Sequence, residues 1–209
     1  MTMANIESIT LEVADPAAAQ QFYAAAFGLD TRLRVRESQT PTDGFRGFTL
    51  SLTVAQPANV DLYLDAALAA GATSLKPAAK SFWGYGGVVQ APDGAIWKVA
   101  TSSKKDAGPA AKEFESFVLL LGAADVSASK RFYMDHGLTV AKSFGKMYVE
   151  FGETGPVKLA LYGRRALAKD AGVAQEGTGS HRLAVASSAG AFTDPDGFAW
   201  EAAQLAVNP

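Results

Sequence analysis

The segment DPDGFAWE, residues 194–201, occurs a second time in imperfect form as APDGAIWK, residues 91–98. Pro-Asp-Gly favours a tight turn, because Pro fixes φ, Asp bonds nearby backbone and Gly accepts a positive φ. Each turn precedes a short alternating segment that ends in Trp and a charged residue, which is typical of a strand. The sequence therefore predicts the same turn and strand twice.

The repeat extends towards the N-terminal side of each copy. LEVADPAAAQQFYAAAFGL, from residue 11, and LGAADVSASKRFYMDHGL, from residue 121, share the order of their parts. Asp15 precedes Phe22 by the same spacing as Asp125 precedes Phe132. Asp is a favourable N-cap and Gly a favourable C-cap. Each copy therefore predicts a strand followed by an Asp-capped helix with a buried Phe-Tyr pair.

The two copies predict two related modules, residues 1–100 and 114–209. Between them, over residues 101–113, the hydrophobic pattern disappears and Ser, Lys, Gly and Pro predominate, as expected of a linker. A helix predicted over residues 60–70 has no counterpart in the second module. Residues 163–180 instead predict a long connection, part helix and part loop, of the kind that often covers a site.

Composition and charge exclude several classes of partner. The chain has 209 residues, 48% of them hydrophobic, and a formal net charge of −2, so it can bury a core but offers no basic field for nucleic acid or a membrane. Its apolar runs are too short to span a bilayer, and its first residues lack the features of a signal peptide. It has no Cys, which excludes disulfides, thiolate catalysis and Cys-ligated zinc. We expect a cytoplasmic protein.

The duplicated order of strand, Asp-capped helix with Phe-Tyr, further strands and a PDG-x-x-W turn resembles the vicinal oxygen chelate superfamily. This superfamily includes glyoxalases, bleomycin-resistance proteins and extradiol dioxygenases. The segment WGYGG, residues 83–87, strengthens the match, which covers nearly the whole chain. The resemblance implies an α+β fold of two tandem βαβββ modules whose curved mixed sheets enclose a ligand cavity.

The resemblance also implies where a metal would be held. Enzymes of the superfamily commonly use a His near the start of each first strand and a Glu at the tip of each last strand. Here the first-strand positions are Ser8 and Val118, and the last-strand positions are Lys98 and Glu201. The set of four is therefore absent. His181 and Glu201 match two of the three ligands of an extradiol dioxygenase, while Val118 replaces the third.

Two functions follow, and whether the protein is an enzyme stays open. The first is a metal-free protein of the bleomycin-resistance kind that binds a small aromatic or anionic molecule, without a cofactor, as a monomer with paired modules or as a homodimer. The second is a glyoxalase-type lyase or isomerase, or a dioxygenase, with Fe, Mn, Ni or Zn held by His181 and Glu201, which are also the candidate catalytic residues. The candidate ligand-binding residues are Trp83, Tyr85, Ser8, Lys98 and Arg164.

Structural interpretations compete with these roles. His181 is interpreted as a strand-edge histidine bonded to a neighbour. Lys98 and Glu12 are expected to pair within the first module in place of a metal. Trp97 and Trp200 are expected in the core, whereas Trp83 and Tyr85 are predicted in a Gly-rich loop where an aromatic side chain can stack on a ligand. The cations Arg164, Arg165 and Lys169 either steer an anion or lie in a solvated loop.

Overall fold

The computed structural model describes residues 4–28 and 31–203. Its elements in the first half of the chain are β1 Ile6–Val13, α1 Pro16–Phe27, β2 Leu33–Glu37, β3 Thr42–Gly44, β4 Phe48–Thr53, α2 Pro57–Ala69, β5 Thr73–Ser81, β6 Gly84–Gln90 and β7 Ile96–Thr101. Those in the second half are β8 Ser116–Ala123, α3 Val126–Asp135, β9 Thr139–Phe144, β10 Tyr148–Gly152, β11 Lys158–Gly163, α4 Arg164–Ala171, β12 Gly177–Gly179, β13 Leu183–Ser187, β14 Phe192–Thr193 and β15 Ala199–Ala202. Leu29 of the repeat, residues 1–3 of the first predicted module and residues 204–209 of the second lie outside the described residues.

The larger sheet has eight strands in the order β5-β6-β7-β4-β8-β11-β10-β9. It contains two βαβββ units, β4-α2-β5-β6-β7 from the first half and β8-α3-β9-β10-β11 from the second. The units meet where β4 pairs antiparallel with β8, for example at Ser51 and Val118. The predicted α+β fold with tandem βαβββ modules in curved mixed sheets is thus confirmed.

A second sheet has five strands in the order β14-β15-β13-β1-β2. Its centre is the antiparallel pair of β1 and β13, with Ile9 opposite Val185. Strands β3 and β12 form a separate two-stranded sheet. Every sheet therefore combines strands from both halves of the chain. The predicted boundary at residues 101–113 stays a prediction, although the chain between β7 and β8 forms no helix or strand.

Local sequence determines where the first helix of each half begins. The side chain of Asp15 accepts a hydrogen bond from the backbone N–H of Ala18, and that of Asp125 accepts from Ser127 and Ala128. These backbone donors lower the pKa of Asp125. Helix α1 ends at Gly28, whose φ of 61° suits glycine. The two predicted N-caps, Asp15 and Asp125, are therefore confirmed.

The main core lies between the helices α1, α2 and α3 and one face of each large sheet. Trp97 is fully buried and stacks on Phe27 and Phe117, with ring centroids 4.4 and 5.7 Å away. Trp200 is buried in the same core and stacks on Phe192. Both tryptophans are therefore core residues, as the sequence predicted.

The tyrosine of each Phe-Tyr pair fastens its helix to a Pro-Asp-Gly turn. The hydroxyl of Tyr23 donates to Asp93 at 2.6 Å, and that of Tyr133 donates to Asp194 at 2.6 Å. Burial raises the pKa of Asp194, while the Tyr133 hydroxyl and two backbone N–H groups act in the opposite direction. The helix and the turn of each half therefore form one unit.

We expect Tyr133→Phe to lower the free energy of unfolding at neutral pH by about 1–3 kcal/mol, because Asp194 loses a donor in a buried place. The pKa of Asp194 in the folded state is already raised, so the contribution of Asp194 to stability falls as pH rises through that pKa. Loss of the Tyr133 hydroxyl would raise this pKa further. The loss should therefore shrink at acidic pH, where the carboxyl is protonated. Urea denaturation at both pH values measures this, with Tyr162→Phe as control. A loss that does not depend on pH would contradict the assignment.

Candidate functional site

The positions that correspond to metal ligands fall into two rows of paired residues. In the five-stranded sheet Ser8 lies opposite Ala186, which lies beside Glu201. In the eight-stranded sheet Val118 lies opposite Ser51, and Ser51 lies beside Lys98. Each row thus brings a first-strand position of one half close to a last-strand position of the other half. Each row therefore depends on residues from both halves of the chain.

In the first row the carboxylates are bound by an arginine. Arg36 donates to Glu201 at 3.0 Å and to Glu12 at 2.7 Å. These bonds, that to Glu12 most of all, raise the pKa of Arg36. The Glu201 side chain is 45% exposed, and Ser8 of the same row is buried. The predicted pair of Glu12 with Lys98 is wrong, because Glu12 lies beside Arg36 on the neighbouring strand of the other sheet.

In the second row Lys98 pairs with Asp170 of α4, with Nζ and Oδ2 2.7 Å apart. Lys76 donates to the backbone carbonyls of Lys169 and Asp170, also at 2.7 Å. Cations near the C-terminal end of a helix satisfy its free carbonyl groups and its dipole. Two lysines of the first half therefore hold the C-terminal end of a helix from the second half.

Helix α4 covers the face of the eight-stranded sheet that is opposite the main core, which we call the second face. The sheet residues of the second face alternate with core residues along each strand, so Leu120 and Ile96 lie on it. The α4 side chains Leu167, Ala168 and Ala171 are buried there. The sequence predicted a connection that covers a site, and its helical part occupies this face.

His181 takes no part in either row. Its Nδ1 lies 2.6 Å from the carbonyl oxygen of Arg46, its Nε2 lies 3.0 Å from that of Asp196, and its ring stacks on Phe198. His181 lies two residues before Leu183, where β13 begins. Glu201 lies beside Ala186, which is three residues further along that strand, or about 10 Å at roughly 3.3 Å per residue. The structure therefore does not bring His181 and Glu201 together, and both ring nitrogens face backbone oxygens.

A smaller cleft of about 310 Å³ on the second face is lined by Trp83, Lys98 and Asp170, and by Tyr85, whose ring packs against the main core on the opposite face of the sheet. Trp83 lies in the turn between β5 and β6 and is 81% exposed. Tyr85 lies in strand β6, so the predicted loop is wrong for this residue. Its hydroxyl donates to Asp61 at 2.7 Å, and this bond raises the pKa of Tyr85 to about 12. Trp83 is the more accessible of the two aromatic residues.

A larger groove of about 1030 Å³ opens at the N-terminal end of α4. Its charged lining residues are Lys146, Arg164, Arg165, Lys169 and Glu176. Arg164 donates to the carbonyl oxygens of Phe45 at 2.8 Å and Gln175 at 3.2 Å, so it fastens α4 to the loops beside it. Among residues 4–28 and 31–203, the side chains of Lys146, Arg165 and Lys169 make no ion pair. The groove is therefore cationic.

Comparison with known proteins decides the fold. No family model matches the chain, and no curated protein matches it by sequence. Among solved structures, a V278E mutant of glyoxalase I from Zea mays aligns with a TM-score of 0.60 at 13% identity over 94% of this chain and 91% of that chain. The chain has the vicinal oxygen chelate fold. A candidate dioxygenase from Bacillus subtilis also aligns, with a TM-score of 0.54 at 12% identity over 92% of this chain and 71% of that chain.

The metal that the vicinal oxygen chelate fold implies does not fit the residues present. Lys98 brings a cation to a ligand position, and Val118 has no donor atom. The carboxylate of Glu201 is already bound by Arg36. Within the part of the chain that the structure describes, no three His, Cys, Asp or Glu side chains come together around a point that could hold a metal.

Sequence reasoning missed Asp170 and Lys146. Asp170 pairs with Lys98 across 72 positions of sequence, and no local pattern indicates such a partner. Lys146 reaches the groove because the turn between β9 and β10 approaches α4. Arg165 and Lys169 were named as possible anion-steering residues, and the structure places both in the larger groove.

In the described residues, no helix is long and apolar enough to cross a membrane.

Proposed function

We propose that this protein binds a small anionic molecule, without a metal, in the larger groove beside α4. The observation that carries this proposal is the set of three cations, Lys146, Arg165 and Lys169, that line one groove without an ion-pair partner in the described chain. A bound anion would supply counter-charge to all three, of which Lys146 also interacts electrostatically with the carboxylate of Asp125. Of the charged residues in the lining, only Glu176 opposes such an anion.

The helix itself supports the same choice of ligand. Gly163 precedes α4 and offers no side chain to cap its first turn, and Gly163, Arg164 and Arg165 all line the groove. The first N–H groups of a helix and its dipole favour negative charge. An anion at this end of α4 would therefore meet both the formal charge of Arg165 and the partial charge of the helix.

The metal-dependent glyoxalase-like or dioxygenase-like enzyme has less support. It needs His181 and Glu201 as joint ligands, yet each is bonded to other groups and they lie in different places. The proposal keeps a small molecule as the partner, with neither nucleic acid nor membrane, and a cytoplasmic location. It assigns direct ligand contact to Arg165 rather than to Arg164, whose guanidinium is bonded to carbonyl groups.

Calorimetric titration with inorganic phosphate and 2-naphthoate tests the proposal. We expect saturable binding of at least one of these anions, weakened about tenfold or more in Arg165→Glu/Lys169→Glu, which corresponds to ~1.4 kcal/mol. The matched control is Lys104→Glu/Lys105→Glu, which reverses the same number of exposed cations in the chain between β7 and β8. The proposal fails if the wild-type protein binds neither anion, or if the two double variants bind as tightly as each other.

A further inference from the structure

Three aromatic side chains form one row beside the larger groove. Phe144 of β9 lies opposite Tyr148 of β10, and Tyr148 lies opposite Tyr162 of β11. Directly opposite residues project from the same face of a sheet, and the ring centroids are 6.1 and 5.9 Å apart. Tyr162 packs against the cluster around α4, so the row lies on the second face. We call these three residues the aromatic row.

The outer part of the row exposes apolar surface to solvent. Phe144 is 52% exposed, and Met147, in the turn between β9 and β10, is 67% exposed. Met147 and Tyr162 line the larger groove, and Tyr148 and Phe144 continue the same face of the sheet outside that lining. Exposing neighbouring apolar side chains to water costs free energy, and a ligand that covers them recovers it. The groove therefore joins an apolar wall to a cationic one.

Charges around the row fix which end an anion would occupy. Lys146 lines the groove next to Met147, and Arg165 faces it from α4. Along β10, Glu150 follows Tyr148 on the same face and accepts a hydrogen bond from its hydroxyl at 3.4 Å. Lys142 lies opposite Glu150, and its ammonium lies 5.1 Å from the centre of the Phe144 ring. The two charges at that end offset each other, whereas a negative group between Lys146 and Arg165 would be attracted.

We propose that the ligand is a planar aromatic anion whose ring lies against Met147 and the aromatic row while its negative group binds Lys146 and Arg165. This inference rests on the proposed function and adds the ligand's aromatic part. A flat ring suits this wall because aromatic rings pack edge-to-face or offset on other rings, and a thioether packs well on a ring. The Tyr148 and Tyr162 rings already meet edge to face, at 86°.

Three probes separate the parts of this proposal: 2-naphthoate, inorganic phosphate and the neutral 2-naphthalenemethanol. We expect the wild-type protein to bind naphthoate more tightly than either of the others. Phe144→Ala/Met147→Ala should weaken naphthoate about tenfold and leave phosphate unchanged, because only the ring covers these side chains. Phe82→Ala, which removes an 81% exposed ring from the turn between β5 and β6, is the control and should change neither.

Methyl NMR of the methionines locates the probe. Naphthoate should shift the Met147 methyl signal through its ring current, and leave Met134 of α3 unshifted. If phosphate binds and naphthoate binds no tighter, or naphthoate binding survives Phe144→Ala/Met147→Ala, the aromatic part is wrong and anion binding stands. If naphthalenemethanol binds as tightly as naphthoate, the ligand is not selected as an anion. If neither anion binds, the proposed function fails, and this inference with it.

Discussion

Replacing Trp97 with Ala is expected to lower the free energy of unfolding by about 3–5 kcal/mol, the range typical of a buried Trp truncated to Ala. Trp97 has no exposed surface. Its ring lies between Phe27 of α1 and Phe117 of β8, which come from different halves of the chain. The cavity would therefore remove contacts that join the first helix to the centre of the eight-stranded sheet.

Guanidinium denaturation followed by circular dichroism measures this loss. The control is Trp83→Ala, since Trp83 is 81% exposed and its removal should change stability by no more than about 0.5 kcal/mol. Equal effects of the two substitutions would show that Trp97 does not hold the core together. The Trp83→Ala variant also tests which site binds the ligand, because Trp83 lines the smaller cleft rather than the larger groove.

Local chemistry made much of the fold predictable. The Asp caps, the Phe-Tyr pairs and the Pro-Asp-Gly turns each depend on residues a few positions apart, so the sequence shows them directly, although Phe132 is half-buried where a buried residue was predicted. The pairing of β4 with β8, and of β1 with β13, depends on contacts between distant segments. The repeat suggested two modules of about half the chain each, but not that each sheet would take strands from both.

The candidate site was harder to predict for the same reason. The segment from Arg164 to Ala171 contains apolar residues at helical spacing, but nothing local indicates which surface they cover. Because α4 lies on the second face, Lys98 can pair with Asp170 near one end of the helix, and Arg164 and Arg165 at the other end line the larger groove. The position of one short helix therefore decides the chemistry of the whole face.

In both rows a protein cation lies at or beside a position where the resemblance implies a metal ligand. In the five-stranded sheet the guanidinium of Arg36 lies between Glu12 and Glu201. In the eight-stranded sheet the ammonium of Lys98 takes the ligand position, and α4 supplies its carboxylate. These pairs are partly exposed, so each contributes roughly 0–1 kcal/mol to stability. Arg36 binds the carboxylate of Glu201, and Lys98 is itself a cation at a position where the resemblance implies a ligand.

Replacing Leu167 with Ala is expected to release α4 from the second face, at a cost of about 2–5 kcal/mol. Leu167 is fully buried, and a helix of eight residues is not stable in water without packing. Because the α4 cluster is separate from the main core, the loss should be local. Hydrogen exchange should show faster exchange in residues 164–171 and unchanged exchange in β8.

The matched control is Leu68→Ala, since Leu68 of α2 is 42% exposed and contributes little packing. The same release should weaken binding of 2-naphthoate, because the groove loses the wall that carries Arg165 and Lys169. Unchanged protection of residues 164–171 in Leu167→Ala would mean that Lys76, Lys98 and Arg164 hold the helix without its apolar contacts. Faster exchange with wild-type naphthoate affinity would instead show that α4 is not part of the binding site, and would leave Lys146 as the cation of the groove lining that lies outside α4.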